Sequence, residues 1–406
     1  MNDIIYCDHH ATVPLCGPAQ RAMLDAEARP GNASSAHLLG RDAARIVEGG
    51  RASVATLLGA DDPSTVVFTS GATEANNLAL NGVIDAARRD GRERPHVLAS
   101  CLEHSSVLAV LRAAAAAGKI DLDTIPVDAS GIVNPDDVAD RLRDDTVLVS
   151  LQSANNELGT LQPVETVGDL CAARGVLFHT DHAQGFGKVP FDLSKCDLAT
   201  VSAHKVGGPV GVGALYGRDP VLRWLVPQMR GGSQERGLRA GTLNVAGIAG
   251  FGAACDEMRR TWTRPHDGQP PERDRLRDLR DYLVWRLARE LPGLVRMHGA
   301  IDPPRDPQVN DPPRLRLPQN ANLGIVGVGP NRLHARLRDV LALSAGSACK
   351  ALGGERSHVL DAIGAPTDEA TVRIGLGACN DRAQVDRIAD TIVAAVRELR
   401  GKECAA

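Results

Sequence analysis

Between about residues 60 and 220, short apolar, β-rich runs alternate with helical patterns. The strand candidates are Val66-Val67-Phe68-Thr69, Val97-Leu98-Ala99-Ser100, Thr146 to Leu151, Val176 to Thr180, Leu198 to Ser202 and Gly213 to Tyr216. Ala-rich or amphipathic stretches such as 107–117 and 164–174 lie between them. Apolar strands separated by helices predict an α/β domain whose mostly parallel sheet is flanked by helices. After about residue 260 the pattern changes. Residues 264–272 are polar and contain proline, which reads as a linker. Residues 273–291 read as a charged helix with Leu276, Leu279, Leu283 and Leu287 on one face. Residues 302–318 carry six prolines and predict a surface loop, and 382–400 a closing amphipathic helix. The expected organisation is a large domain over 16–260 and a smaller α+β domain built from 1–15 and 261–406.

A chain of 406 residues suits such a pair of domains. The 43% apolar and 24% charged content is that of a soluble globular protein. A net charge of −4 implies no polyanion partner, so direct nucleic-acid binding is not expected. No apolar run is long enough to span a bilayer, and the first residues lack the pattern of a signal peptide. The nine cysteines are scattered, odd in number and never in a C-x-x-C pair. That argues against a disulfide framework or zinc cluster and for a reducing cytoplasm.

Chemistry concentrates in three segments. Thr69-Ser70-Gly71-Ala72-Thr73-Glu74-Ala75-Asn76-Asn77 follows a strand and opens a helical stretch. Small residues there let backbone N–H groups approach a phosphate, and the helix N-terminus favours its charge. An ordinary strand–turn–helix with a capping hydroxyl would look much the same. Thr180-Asp181-His182-Ala183-Gln184 ends one strand, and Ser202-Ala203-His204-Lys205-Val206-Gly207-Gly208-Pro209 ends the next. In a parallel sheet both ends lie on one rim, where such folds bind ligands. A lysine there, with its pKa lowered, can hold a carbonyl compound covalently. An aspartate one strand away can pair with a pyridinium nitrogen. A solvated lysine and a capping aspartate are the bland readings of each alone.

With these segments the chain resembles the cysteine desulfurases, pyridoxal-phosphate enzymes of the class V aminotransferase-like family (fold type I). The likeness runs in order through Gly31-Asn32-Ala33-Ser34-Ser35-Ala36-His37, Glu103-His104, Ala154-Asn155-Asn156-Glu157-Leu158-Gly159 and Gly231-Gly232-Ser233-Gln234-Glu235-Arg236. It continues through Arg239-Ala240-Gly241-Thr242, Ser344-Ala345-Gly346-Ser347-Ala348-Cys349, Ser357-His358-Val359-Leu360 and Val372-Arg373-Ile374-Gly375.

The resemblance implies that Lys205 carries pyridoxal 5'-phosphate, Asp181 pairs with its ring nitrogen, Gln184 meets its phenolic oxygen and His104 stacks on the ring. It gives the phosphate to Ala72, Thr73, Ser202 and His204, with Thr242 reaching across from the partner of a homodimer. Asn156 lies at both cofactor and substrate, and Arg373, helped by Asn32, takes the carboxylate of L-cysteine. Cys349 is the implied sulfur acceptor. Its Gly- and Ser-rich setting resembles the branch that hands sulfur to an acceptor protein.

The chain departs from the family's usual residues at Asp8-His9-His10-Ala11-Thr12-Val13, Ala345, Val210, Arg356 and Gly375. None of these removes an assigned group. Two other readings fit the same residues less well. One is a further pyridoxal-phosphate reaction on this scaffold, such as selenocysteine lysis, C–S lysis or racemisation. The other is a non-enzymatic relay subunit, which the presence of both Lys205 and Cys349 disfavours.

Overall fold

The computed structural model describes residues 4–266, 268–302, 314–344 and 356–403. The chain begins with β1 (Ile5–Tyr6), α1 (Gly17–Glu27) and α2 (Leu38–Leu58). Then come β2 (Val66–Thr69), α3 (Ala72–Arg89), β3 (His96–Ser100), α4 (Ser105–Ala116), β4 (Asp121–Ile125), α5 (Pro135–Arg141) and β5 (Thr146–Ser150). Next are α6 (Val164–Arg174), β6 (Leu177–Asp181), β7 (Leu198–Ser202), β8 (Gly213–Gly217), α7 (Val221–Trp224) and α8 (Val245–Thr261). The second half adds α9 (Glu272–Glu290), β9 (Val295–Met297), β10 (Asn320–Ile325), α10 (Pro330–Leu337), β11 (Leu341–Ala342), α11 (His358–Ala362), β12 (Ala370–Gly375) and α12 (Arg382–Glu403).

Seven strands form one sheet in the order β2-β8-β7-β6-β5-β3-β4. The run from β7 to β4 is parallel, as the apolar strands predict. β8 runs antiparallel to both β2 and β7, because the short stretch from Ser202 to Gly213 leaves no room for a crossover helix. β4 escaped the sequence reading because Asp121-Leu122-Asp123-Thr124-Ile125 alternates polar and apolar residues, as a half-exposed edge strand does. Both faces are covered. Val66, Phe68, Val149, Phe178 and Val201 pack with α2, α6 and α8 on one side, while Val67, Val97, Leu148 and Leu215 meet α3 and α4 on the other.

The second region has its own core around the antiparallel sheet β12-β10-β9. Leu276, Leu279, Leu283 and Leu287 of α9 are all buried in it, as their spacing requires. The first strand belongs here too, since β1 pairs with β11 and Ile5 and Cys7 sit in this core. Residues just beyond it turn to the large sheet: Val13 N–H donates to the His204 carbonyl and Cys16 N–H to that of Gly207. The N-terminal segment therefore bridges the two cores.

One expectation fails in part. Of the proline-rich stretch 302–318, residues 303–313 lie outside the described residues, but its end is no surface loop. Arg316 and Leu317 are fully buried. The Arg316 guanidinium donates to the carbonyls of Leu158, His298 and Ala300 and to Asn320 Oδ1, so backbone acceptors compensate its burial. Burial still lowers its pKa to about 9.

Candidate active site

The parallel strands point their C-terminal ends to one rim, and the site residues of the large sheet lie there. Asp181 is the last residue of β6, and Ser202 the last of the neighbouring β7, with His204 and Lys205 in the turn that follows. The turn after β2 completes the rim. It is tied down by Glu74, which accepts from Ser70 N–H at 2.8 Å and from Arg239 Nε at 2.8 Å. A Cβ on Gly213 would lie 2.6 Å from Gly71 Cα and 2.8 Å from the Val201 carbonyl oxygen, so only glycine lets this turn sit against β7 and β8. Gly71 caps α3 without a side-chain bond. The N–H groups of the first turn, at Ala72 and Thr73, are thus available to an anion.

The Lys205 amine donates to the carbonyls of His10 and Ala11, the latter at 3.0 Å. Burial foremost, and Arg373 next, lower its pKa from 10.5 to about 8, while Asp181 and Asp8 oppose this. A neutral amine is therefore accessible near physiological pH. Asp181 accepts from Ala183 N–H at 3.0 Å and from Asn76 Nδ2 at 2.8 Å. Gln184 Nε2 donates at 2.9 Å to the same His10 carbonyl that Lys205 uses. His204 Nδ1 lies 3.2 Å from Thr12 Oγ1, and burial lowers the pKa of this ring to about 4. His104 is exposed at the start of α4, and burial of part of its ring lowers its pKa.

The opposing wall comes from the second region. Arg373 of β12 donates through Nη2 to Asp8 Oδ1 at 2.8 Å and through Nη1 to the Asn156 carbonyl at 3.1 Å. Among the described residues its buried Nε has no hydrogen-bond partner, and a guanidinium can bind a carboxylate. Asp8 Oδ2 accepts from Ser344 Oγ at 2.8 Å, and Glu157 Oε2 from Ser357 Oγ at 2.6 Å. Ser344 and Ser357 flank the segment with Cys349, which lies outside the described residues.

Asn32 and Thr242 are not joined to this network by hydrogen bonds among the described residues. Asn32 is exposed and turns its Oδ1 onto Ser34 N–H, and Thr242 is exposed on the loop before α8. The sequence reading missed Asp8, His10, Asn76 and Ser106. The first two stood out only as departures, and Asn76 only as part of the phosphate-turn motif.

The donor set fits pyridoxal phosphate. An amine with a depressed pKa, a carboxylate one strand away and a helix N-terminus without a side-chain cap share one rim, and the guanidinium of Arg373, a donor suited to a carboxylate, faces them. Similarity to known proteins agrees. The class-V aminotransferase family matches residues 5–266. The cysteine desulfurase IscS of Anaeromyxobacter sp. (strain Fw109-5) is 39% identical over 402 residues, 98% of this chain and 93% of that protein. A cysteine desulfurase of Frankia sp. (strain EuIK1) is 40% identical, covering 98% and 92% respectively. Among solved structures, a NifS-like protein superposes with a TM-score of 0.83 at 30% identity over 98% of this chain and 100% of its own. SspA, solved in complex with cysteine, gives 0.76 at 31% identity over 92% and 98%. The chain belongs to the class-V aminotransferase family and, within it, to the cysteine desulfurases.

Proposed function

We propose that this chain removes sulfur from L-cysteine, releasing L-alanine and retaining the sulfur as a persulfide on Cys349 for an acceptor protein. The observation that carries this is the meeting of three groups: Asp181 at the end of β6, Lys205 in the turn after β7, and Arg373 of β12 on the facing wall. The complex of SspA with cysteine supports cysteine as the substrate.

Lys205, Asp181, Gln184 and His104 would hold pyridoxal phosphate, with Ala72, Thr73, Ser202 and His204 at its phosphate. When bound, the cofactor supplies an electron sink next to the substrate's α-carbon. Arg373 orients the substrate carboxylate, with Asn156 and Asn32 beside it. Lys205 Nζ would be the base for the α-proton, and its lowered pKa suits it to that task. Cys349, as thiolate, forms the S–S bond to the substrate sulfur as the C–S bond breaks, and its electron pair stays on carbon, which takes up a proton on the way to alanine.

Residues 16–260 would act as the cofactor-holding domain, and 1–15 with 261–406 as the domain that carries the sulfur acceptor. A homodimer with Thr242 completing the partner's phosphate site, working in the cytoplasm, accounts for the exposure of that threonine. Among the described residues no helix is long and apolar enough to cross a membrane.

The test is product analysis with cysteine, selenocysteine and cystine as substrates. Alanine from cysteine, with one added sulfur mapped to Cys349 by mass spectrometry in the absence of reductant, is the expected result. Pyruvate from cysteine, or an unmodified Cys349, would replace desulfuration with a simple lyase reaction.

A further inference from the structure

Asp181 and His104 are linked by hydrogen bonds through two side chains that have so far been given no role. Asn76, on the first turns of α3, is fully buried. Its Nδ2 donates to Asp181 Oδ2 at 2.8 Å and to Ser106 Oγ at 2.9 Å. An ionised carboxylate only accepts, so the amide has to turn its nitrogen toward Asp181. Its second hydrogen then faces Ser106. The consequence is visible on the other side of the amide, where the buried Asn76 Oδ1 has no partner among the described residues. Ser106 Oγ, already an acceptor from Asn76, has its own hydrogen to give, and His104 Nδ1 lies 2.8 Å away. The same nitrogen accepts from Ser106 N–H at 3.1 Å, because His104 is the N-cap of α4. Two donors thus converge on one lone pair. A proton on Nδ1 would have to displace both.

We propose that Asn76 and Ser106 are positioning residues that hold His104 as its Nε2–H tautomer, so that the imidazole meets cofactor and substrate as a donor through Nε2 alone. The functional half of this rests on the reading of His104 as the residue over the cofactor ring. The order of command runs outward from the sheet. The carboxylate of Asp181 orients the Asn76 amide, the amide orients the Ser106 hydroxyl, and the hydroxyl assigns the histidine proton. The surroundings of His104 work in the same sense. Burial first, then Lys205 and His358, disfavour its charged form, against Asp181 and Glu157. Donors to Nδ1 also favour the neutral ring. His104 is therefore kept neutral with one transferable proton, at a defined atom.

The experiment is nitrogen NMR on the full-length holoenzyme labelled with 15N-histidine, with H104Q used to assign the resonance. Wild type should show an unprotonated, hydrogen-bonded Nδ1 and a protonated Nε2. In S106A the proton should redistribute between the two nitrogens and the ring pKa should rise, because a donor to the neutral form is gone. S106T, which keeps the hydroxyl, should restore both. In steady state S106A should lower kcat by about two- to tenfold, the factor a hydrogen bond of ordinary net strength represents. KM for cysteine and cofactor content should stay unchanged. A wild-type ring protonated on Nδ1, or an S106A spectrum and titration identical to wild type, would overturn the proposal. A changed spectrum with an unchanged kcat would uphold the tautomer lock and remove His104 from the cofactor.

Discussion

The two walls of the site are built on opposite plans. The wall on the large sheet is made of strand ends, and its residues come in compact runs: 69–77 from the end of β2, 181–184 from the end of β6 and 202–205 from the end of β7. The facing wall is assembled from single residues at 8, 344, 357 and 373, held to one another and to Asn156 and Glu157 of the β5–α6 connection by side chain to side chain and side chain to backbone bonds. The first plan suits a group that stays in place, because parallel strands fix their ends relative to one another. The second suits groups that must meet a substrate that comes and goes. Arg373 shows this, since its guanidinium is shared between Asp8 and Asn156 while Nε has no partner among the described residues. The difference teaches that holding the cofactor and taking the sulfur should come apart by mutation.

The largest separation is expected at Cys349. C349A leaves every group of the strand-end wall untouched, so the purified protein should remain yellow and still bind cysteine. Alanine formation should fall by a factor on the order of a thousand or more, as when a covalent nucleophile is removed. C349S should fail as well, since a hydroxyl attacks sulfur poorly. Near-normal alanine production by C349A would dissolve the division between the walls.

A smaller effect is expected at Arg373. Lysine keeps the charge but cannot copy a two-point contact with a carboxylate. R373K should raise KM for cysteine roughly 10- to 100-fold, the range of a charge-assisted hydrogen bond. Cofactor content, read from the visible absorbance, should not change. Kinetics equal to wild type would remove Arg373 from the substrate wall.

Smaller again is T242A, because a single hydroxyl at a phosphate is one contact among many. Light scattering should show a dimer for both wild type and variant, and the variant should release cofactor about two- to tenfold more readily. A fully active monomer would end the idea of a shared site.

How far each wall was legible in the sequence follows from its construction. The strand-end wall could be read because an apolar run announces a strand, and the residues just after it inherit a fixed place on the rim. Lys205 and Asp181 needed only the inference that β6 and β7 are parallel neighbours, which they are. β8 and β4 were harder, one because its direction depends on a loop too short for a helix, the other because an edge strand loses the continuous apolar pattern. Asp8 and Ser106 carry no such announcement. Their partners, Arg373 and Ser344 for the first and Asn76 for the second, become neighbours only when distant segments pack. Arg316 failed for the same reason. Prolines around it signalled a loop, and the carbonyls that accept its buried charge lie outside that segment, at Leu158, His298 and Ala300.

The gentlest test asks whether the two walls feel each other before any substrate arrives. Capture of the cofactor by apoenzyme requires a neutral Lys205 amine. Its pKa is lowered from 10.5 to about 8, first by burial and then by Arg373. A depressed amine pKa means that the rate of capture should climb with pH and level off above about 8, where an ordinary lysine would still be mostly protonated. Asp181 and Asp8 act in the opposite direction, since each stabilises the ammonium. The charge of Arg373, not its shape, is what Lys205 senses. R373K should therefore leave the midpoint of capture in place even as it weakens cysteine binding. R373Q should move the midpoint upward by a fraction of a pH unit, and D8N should move it downward. Stopped-flow absorbance across pH, with fixed ionic strength, would measure all three. A wild-type midpoint near that of free lysine would mean that the rim is wetter than its packing indicates, and an R373Q shift toward lower pH would place Arg373 away from Lys205.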